Sequence, residues 1–164
     1  MDYLIEAMRD TDWEQVRAIY SEGIATGLAT FQTNAPEWAD WNAGHLPHCR
    51  LVARANGQIL GWAALSPTSK RVCYAGVAEV SIYIAPTARG QGVGKALLAA
   101  LIAASEWHGI WTLWSAVFPE NLASLRLHFQ AGFREVGRRE RIAQLHGVWR
   151  DIVLLERRSR VAGT

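Results

Sequence analysis

The sequence predicts a single α/β domain with a mixed central sheet, and three observations carry that prediction. A β-branched and aromatic run, Val80-Ser81-Ile82-Tyr83-Ile84, is followed by a glycine-rich loop and then by a run of strong helix formers from Ala96 to Ala104. Asn56-Gly57 sits between two apolar segments, the strongest short-range hairpin signal in the chain. The 164 residues are 50% hydrophobic and 20% charged, enough to bury a core and too apolar for a disordered chain. The domain is expected to span 1–158, with 159–164 as a frayed tail.

Taken in order, Tyr3, Leu4 and Ile5 mark a first strand within Met1 to Met8. Thr11 with Glu14 has the form of a capping box. The helix it would open has Trp13, Val16, Ile19, Tyr20 and Ile24 along one side. Thr30 to Ala35 reads as extended or as a loop, and Pro36 to Trp41 as a second helix with Pro in its first turn. Arg50 to Ala55 and Gln58 to Leu65 form the hairpin arms. A long strand is expected from Tyr74 to Ile84, bulged near Gly76 or Ala78. The helix after the glycine loop should run to about His108-Gly109, and Trp111 to Val117 is again a strand. Asn121 is a good N-cap for a short helix that ends at Gly132. Phe133 to Arg141 and Val148 to Leu155 make a terminal hairpin turning at His146-Gly147.

The loop Arg89-Gly90-Gln91-Gly92-Val93-Gly94-Lys95 has the composition of an anion cradle. Glycines let backbone N–H groups approach phosphate oxygens, and a helix N-terminus adds unpaired donors and partial positive charge. Spacing narrows the ligand. A Rossmann fingerprint would need glycine where Lys95 stands, and a Walker loop would need glycine at Arg89 and a hydroxyl at Ala96. What remains is R-x-x-G-x-G, formed by Arg89, Gly92 and Gly94; on spacing alone, a ligand-free turn stays open.

That motif resembles the pyrophosphate loop of the GCN5-related N-acetyltransferases (GNAT), and the segment Asn121 to Phe133 resembles their second signature, an Asn-capped helix closed by Gly-Phe. The resemblance implies the acyl-CoA N-acyltransferase fold, with helices on both faces of a sheet splayed at the cofactor site. It implies acetyl-CoA as co-substrate, cradled by Arg89, Gly90, Gln91, Gly92, Val93, Gly94 and Lys95. The pantetheine arm would pair with the backbone of Ile82, Tyr83 and Ile84 and meet Asn121.

Amide formation needs a neutral amine and a proton for the departing thiolate. Glu79, in an otherwise apolar strand, is the candidate base, acting through water or directly. Its bland alternative is a solvent-facing or ion-paired carboxylate. His128 is the candidate acid, at a position where many relatives carry Tyr; its alternative is a structural histidine. Leu127-His128, Thr30-Phe31-Gln32-Thr33, Ala78 to Ile84 and Gly147 to Asp151 resemble the phosphinothricin and methionine sulfoximine acetyltransferase branch. The acceptor implied is the α-amino group of a small amino-acid analogue, with Phe31, Tyr74 and Trp149 as pocket walls and Lys70 or Arg71 meeting an anion. A protein N-terminal acetyltransferase and a non-catalytic acetyl-CoA-binding domain are the alternatives.

Composition limits the partners. A net charge of +2, with acidic residues interrupting the late arginines, does not make a nucleic-acid stripe. No targeting segment or membrane-length apolar run is read, so a cytoplasmic enzyme is expected, as is a homodimer, common in this branch. Cys49 and Cys73 lack metal-type spacing; both are expected to be free packed thiols, and no metal is expected.

Overall fold

A computed structural model describes all residues, 1–164. Seven strands form one sheet in the order β1-β2-β3-β4-β5-β7-β6. They are β1 (Leu4–Ala7), β2 (Leu51–Ala55), β3 (Gln58–Pro67), β4 (Val77–Ile84), β5 (Thr112–Val117), β6 (Arg134–Leu145) and β7 (Val148–Arg158). The helices are α1 (Trp13–Ala25), α2 (Trp38–Gly44), α3 (Val93–Trp107) and α4 (Leu122–Gln130). Every strand pair is antiparallel except β4 with β5, which α3 joins as a crossover. The expected mixed sheet and element order are therefore present.

Asn56 and Gly57 turn the β2–β3 hairpin with φ of 50° and 79°, the paired left-handed conformation of a two-residue turn. Alternation along β4 then sorts the sheet's two faces. Ile84 lies toward α3, where Leu97 also approaches Gly61. Tyr83 lies toward α1, where it fills the space beside Gly23. Leu97, Leu98 and Leu101 of α3 are fully buried in one layer, and Val16, Trp41 and Trp62 in the other. Truncating Leu98 to Ala is expected to cost about 2–5 kcal/mol of stability, read as a lowered denaturation midpoint with an unchanged m-value.

Several local expectations are corrected. The Thr11–Glu14 capping box does not form. Asp12 instead accepts the Arg9 backbone N–H at 2.8 Å, because Arg54 of β2 holds its carboxylate with two contacts of 2.9 Å. Pro36 precedes α2, whose N-cap is Glu37. β4 begins at Val77, after a 3-10 turn over Val72–Tyr74, and its register with β3 is unbroken from Gly61↔Ile84 to Pro67↔Ala78. Register shifts lie elsewhere, between Ala53 and Arg54 of β2 and, in β6, between Glu135 and Gly137 and between Arg139 and Ala143. Cys73 is exposed, whereas Cys49 is buried, and both are free.

The tail is tied back to α3 by hydrogen bonds. Ser159 Oγ donates to Glu106 at 2.9 Å and accepts the backbone N–H groups of Val161 and Ala162. Arg158 donates to the carbonyls of Ala162 and Gly163. The backbone groups of the tail that are held this way have partners that no local pattern announces.

Candidate active site

β4 and β5 are paired only at Val77↔Thr112, Ala78↔Leu113 and Glu79↔Trp114. Beyond Glu79 the two strands part, and the backbone of Val80 to Ile84 loses its neighbour on that side. Polar main chain left open in this way needs either solvent or a ligand strand. A cavity of about 1040 Å³ fills the gap and extends to the glycine loop.

Gly92 is the N-cap of α3 with φ of 81° and ψ of 0°, and no side chain caps the helix. Its first N–H groups are therefore free, and the helix dipole adds positive character there. A Cβ on Gly90 or Gly92 would meet nothing within 4 Å. Their glycines serve backbone conformation and close access, not packing. Gly94 differs: a Cβ there would touch Ile84 and Leu127 at 3.5 Å, so it seats α3 against β4 and α4. Arg89, Gly90, Gly92, Val93, Gly94 and Lys95 all line the cavity, together with Ile82, Tyr83, Ile84 and Asn121. Gln91 does not; its side chain donates to the Thr87 carbonyl at 2.9 Å and buttresses the loop from outside.

Asn121 caps α4 through its Oδ1, which accepts the Ser124 N–H at 3.2 Å. Its Nδ2 donates to the Leu28 carbonyl at 3.1 Å, tying the segment after α1 to the cavity wall.

Glu79 stands at the vertex where the strands separate, on the cavity face of β4. It has no hydrogen-bond or ion-pair partner in the protein, and burial raises its pKa above the ordinary carboxylate value. The desolvated anion is costly, so the carboxylate is a better proton acceptor than one in water. The same face carries a ring stack in which Tyr83 lies 4.8 Å from Tyr20 and 5.0 Å from Trp62. Burial raises the pKa values of both tyrosines, with Glu79 adding in the same direction, so both phenols stay protonated.

His128 is 1% exposed and packs edge-on against Phe133. Its Nδ1 lies 2.7 Å from the Ser124 carbonyl, which fixes the proton on Nδ1. Nε2 is buried with no partner, although the residue lines the cavity. Burial pulls the imidazole pKa below 6.5, against a smaller opposing effect of the Ser124 bond. The resting ring is neutral, with a bare acceptor at Nε2.

The substrate-wall expectations divide. Phe31 lines the cavity, edge-on to Phe118 at 4.9 Å. Tyr74 and Trp149 do not line it; they are 44% and 49% exposed, beneath Arg71 and Arg141 respectively. Lys70 and Arg71 also lie outside the lining. The wall is built instead by Tyr20, Thr30, Gln32, Thr33 and Ser81 with Phe31. Sequence reasoning placed Tyr20 in the core stripe of α1, and its period is indeed that of a core position; only the tertiary stack turns it toward the cavity.

With this geometry in place, similarity to known proteins is informative. The acetyltransferase (GNAT) family profile matches residues 5–133. The chain belongs to that family. It is 36% identical over 162 residues to a phosphinothricin N-acetyltransferase of Alcaligenes faecalis, covering 93% of this chain and 81% of that one. It is 27% identical over 151 residues to an L-methionine sulfoximine/L-methionine sulfone acetyltransferase of Pseudomonas aeruginosa, with 88% of each chain covered. A GNAT superfamily phosphinothricin acetyltransferase from Sinorhizobium meliloti, solved in complex with AcCoA, superimposes with a TM-score of 0.87 at 27% identity, covering 99% of this chain and 91% of that chain. This GNAT enzyme is an N-acetyltransferase of the phosphinothricin and methionine sulfoximine branch.

Proposed function

We propose that this GNAT enzyme transfers the acetyl group of acetyl-CoA directly to the α-amino group of a small amino-acid analogue of the phosphinothricin, methionine sulfoximine or methionine sulfone type. The observation that carries the reading is Glu79: an unpartnered, desolvated carboxylate at the strand vertex, in one cavity with an uncapped glycine cradle. The pyrophosphate lies on the free N–H groups of the loop Arg89 to Lys95, with Arg89 and Lys95 adding charge. The pantetheine arm takes the place of the missing strand beside Ile82, Tyr83 and Ile84, within reach of Asn121.

Proton accounting assigns the two titratable groups. The acceptor arrives as an ammonium and must lose two protons to become an amide nitrogen. Glu79 takes the first through a bridging water, which frees the nitrogen lone pair for attack on the thioester carbonyl. His128 Nε2 takes the second from the adduct, then returns it to sulfur as the C–S bond breaks. The neutral resting imidazole suits this order, and the lowered pKa makes the transient imidazolium a strong acid.

Gly92→Val is expected to raise the KM for acetyl-CoA about tenfold or more, because a β-branched residue strains at φ of 81° and crowds the N–H cradle. Initial rates against acetyl-CoA concentration read this. The substrate class is tested by thiol release with a panel of amino acids, their sulfoximine, sulfone and phosphinic analogues, and peptides with a free N-terminus. Turnover confined to peptides would replace the acceptor assigned here. Acetyl-CoA binding with no turnover across the panel would make the domain a binding module.

We also propose a homodimer in the cytoplasm. Val136, Ile142, Val148 and Trp149 are exposed large hydrophobics on one hairpin, β6–β7, a concentration that suits a second copy. No helix is long and apolar enough to cross a membrane. A sedimentation mass of one chain at micromolar concentration would overturn the dimer.

A further inference from the structure

We propose that His48, Cys49 and His108 form a binding site for a thiophilic divalent transition-metal ion of the zinc class, at the end of α3 opposite the glycine loop. Cys49 Sγ lies 3.3 Å from His48 Nδ1 and 3.6 Å from His108 Nδ1. The three ligand atoms all lie within 4.8 Å of one another. Zinc bonds of about 2.3 Å to sulfur and about 2.0–2.1 Å to nitrogen, at tetrahedral angles, require sulfur–nitrogen separations of about 3.6 Å. The two sulfur–nitrogen separations already match that spacing. The remaining vertex falls to solvent, since His108 is exposed.

The backbone adds a separate observation. Cys49 holds φ of 60°, a conformation that non-glycine residues seldom adopt, and its buried thiol lies beside the Nδ1 atoms of both imidazoles. The ligands come from two distant pieces of chain: the loop between α2 and β2 supplies His48 and Cys49, and the C-cap of α3 supplies His108. Adjacent ligands followed by a third 59 positions after Cys49 match no spacing motif, so the sequence alone does not announce the cluster.

Local chemistry allows occupancy. The two rings stack at 4.3 Å with 8° between their planes, so the exposed His108 ring turns about its side-chain bonds to aim its Nδ1 lone pair at an ion held by Cys49 and His48. His108 Nδ1 also lies 2.9 Å from the Ala104 carbonyl, so binding exchanges that hydrogen bond for the metal bond. The neighbouring cation, Arg50, is engaged elsewhere, donating to the carbonyls of Leu46, Asn42 and His45 and to the Asn42 side chain. On binding, the thiol proton leaves to solvent as the sulfur–metal bond forms, and the His108 ring carries its proton on Nε2 in place of Nδ1. The bound ion would pin the segment before β2 to the end of α3. The opposite end of α3 carries the glycine loop, about 22 Å away for 15 residues. The ion would therefore act as a clip and take no part in acetyl transfer.

Cobalt(II) titration of the full chain tests this. The expected result is a thiolate-to-cobalt charge-transfer band in the near ultraviolet, with visible bands of tetrahedral intensity, saturating at one equivalent and bleached by zinc. Both should disappear in Cys49→Ser and weaken in His108→Ala, and persist in Cys73→Ser. Zinc at about 100 times its dissociation constant should raise the melting temperature by about 5 °C or more, and not in His108→Ala. His108 is exposed, so that variant reports even if Cys49→Ser folds poorly. No thiolate band, or one that survives Cys49→Ser and vanishes in Cys73→Ser, would overturn the site.

Discussion

Glu79→Gln is expected to lower kcat/KM for the amine about 10²–10³-fold, within the range that a positioned general base contributes. Acetyl-CoA affinity should hardly change, because the cradle lies at the far end of β4 from Glu79. The pH profile separates loss of a base from loss of shape. In the unaltered enzyme the rate is expected to rise as Glu79 ionises, above the usual carboxylate value because burial raises its pKa. The glutamine variant keeps the size and loses that limb. An unchanged rate at every pH would remove Glu79 from the base role.

Stability should move the other way. The folded pKa of Glu79 is raised, so the native state holds the proton more tightly than the unfolded chain. Between the unfolded value and the raised folded value, stability falls as pH rises; above the folded value the penalty is complete. Glu79→Gln should therefore melt higher than the parent at pH 7.5, and the difference should shrink toward pH 4. A less active but more stable variant is the expected mark of a carboxylate kept for chemistry.

The legible parts of the site are those that local chemistry dictates. Gly92 must adopt a left-handed conformation, Asn121 must cap a helix, and Asn56-Gly57 must turn a hairpin; each residue type states its own reason. Glu79 was legible because a charge in an apolar strand needs a purpose. What stayed hidden depends on partners far along the chain. Asp12 takes the capping role because Arg54 holds it, 42 residues away. Ser159 ends β7 in order because Glu106 of α3 waits for its hydroxyl. Tyr20 becomes a cavity wall because Tyr83 and Trp62 stack on it. Tyr74 and Trp149 look like pocket aromatics in sequence, yet each packs under an arginine at the surface. The parting of β4 and β5 after Glu79 leaves no mark in composition at all; only the resemblance to the GNAT family anticipated it.

His128→Asn should lower kcat about 10²-fold while leaving the KM for acetyl-CoA within a few-fold, since a proton relay contributes to the chemical step and not to holding the donor. Asparagine is the informative replacement. Its amide can still donate to the Ser124 carbonyl, as Nδ1 does at 2.7 Å, so the helix contact survives and only Nε2 is lost. The orphaned Nε2 is also a stability liability with a defined pH signature. Its folded pKa lies below 6.5, so as pH falls the unfolded chain protonates first and the native state resists. Stability is whole above pH 6.5 and is lost as pH falls from there toward the lowered folded value. His128→Asn should abolish that part of the acid loss, whereas Glu79→Gln should leave it intact. The same division should appear in the rates: the asparagine variant keeps the Glu79 limb, and the glutamine variant keeps the His128 limb. A single acidic limb that disappears in both variants would mean that one shared proton, and not two groups, governs the transfer.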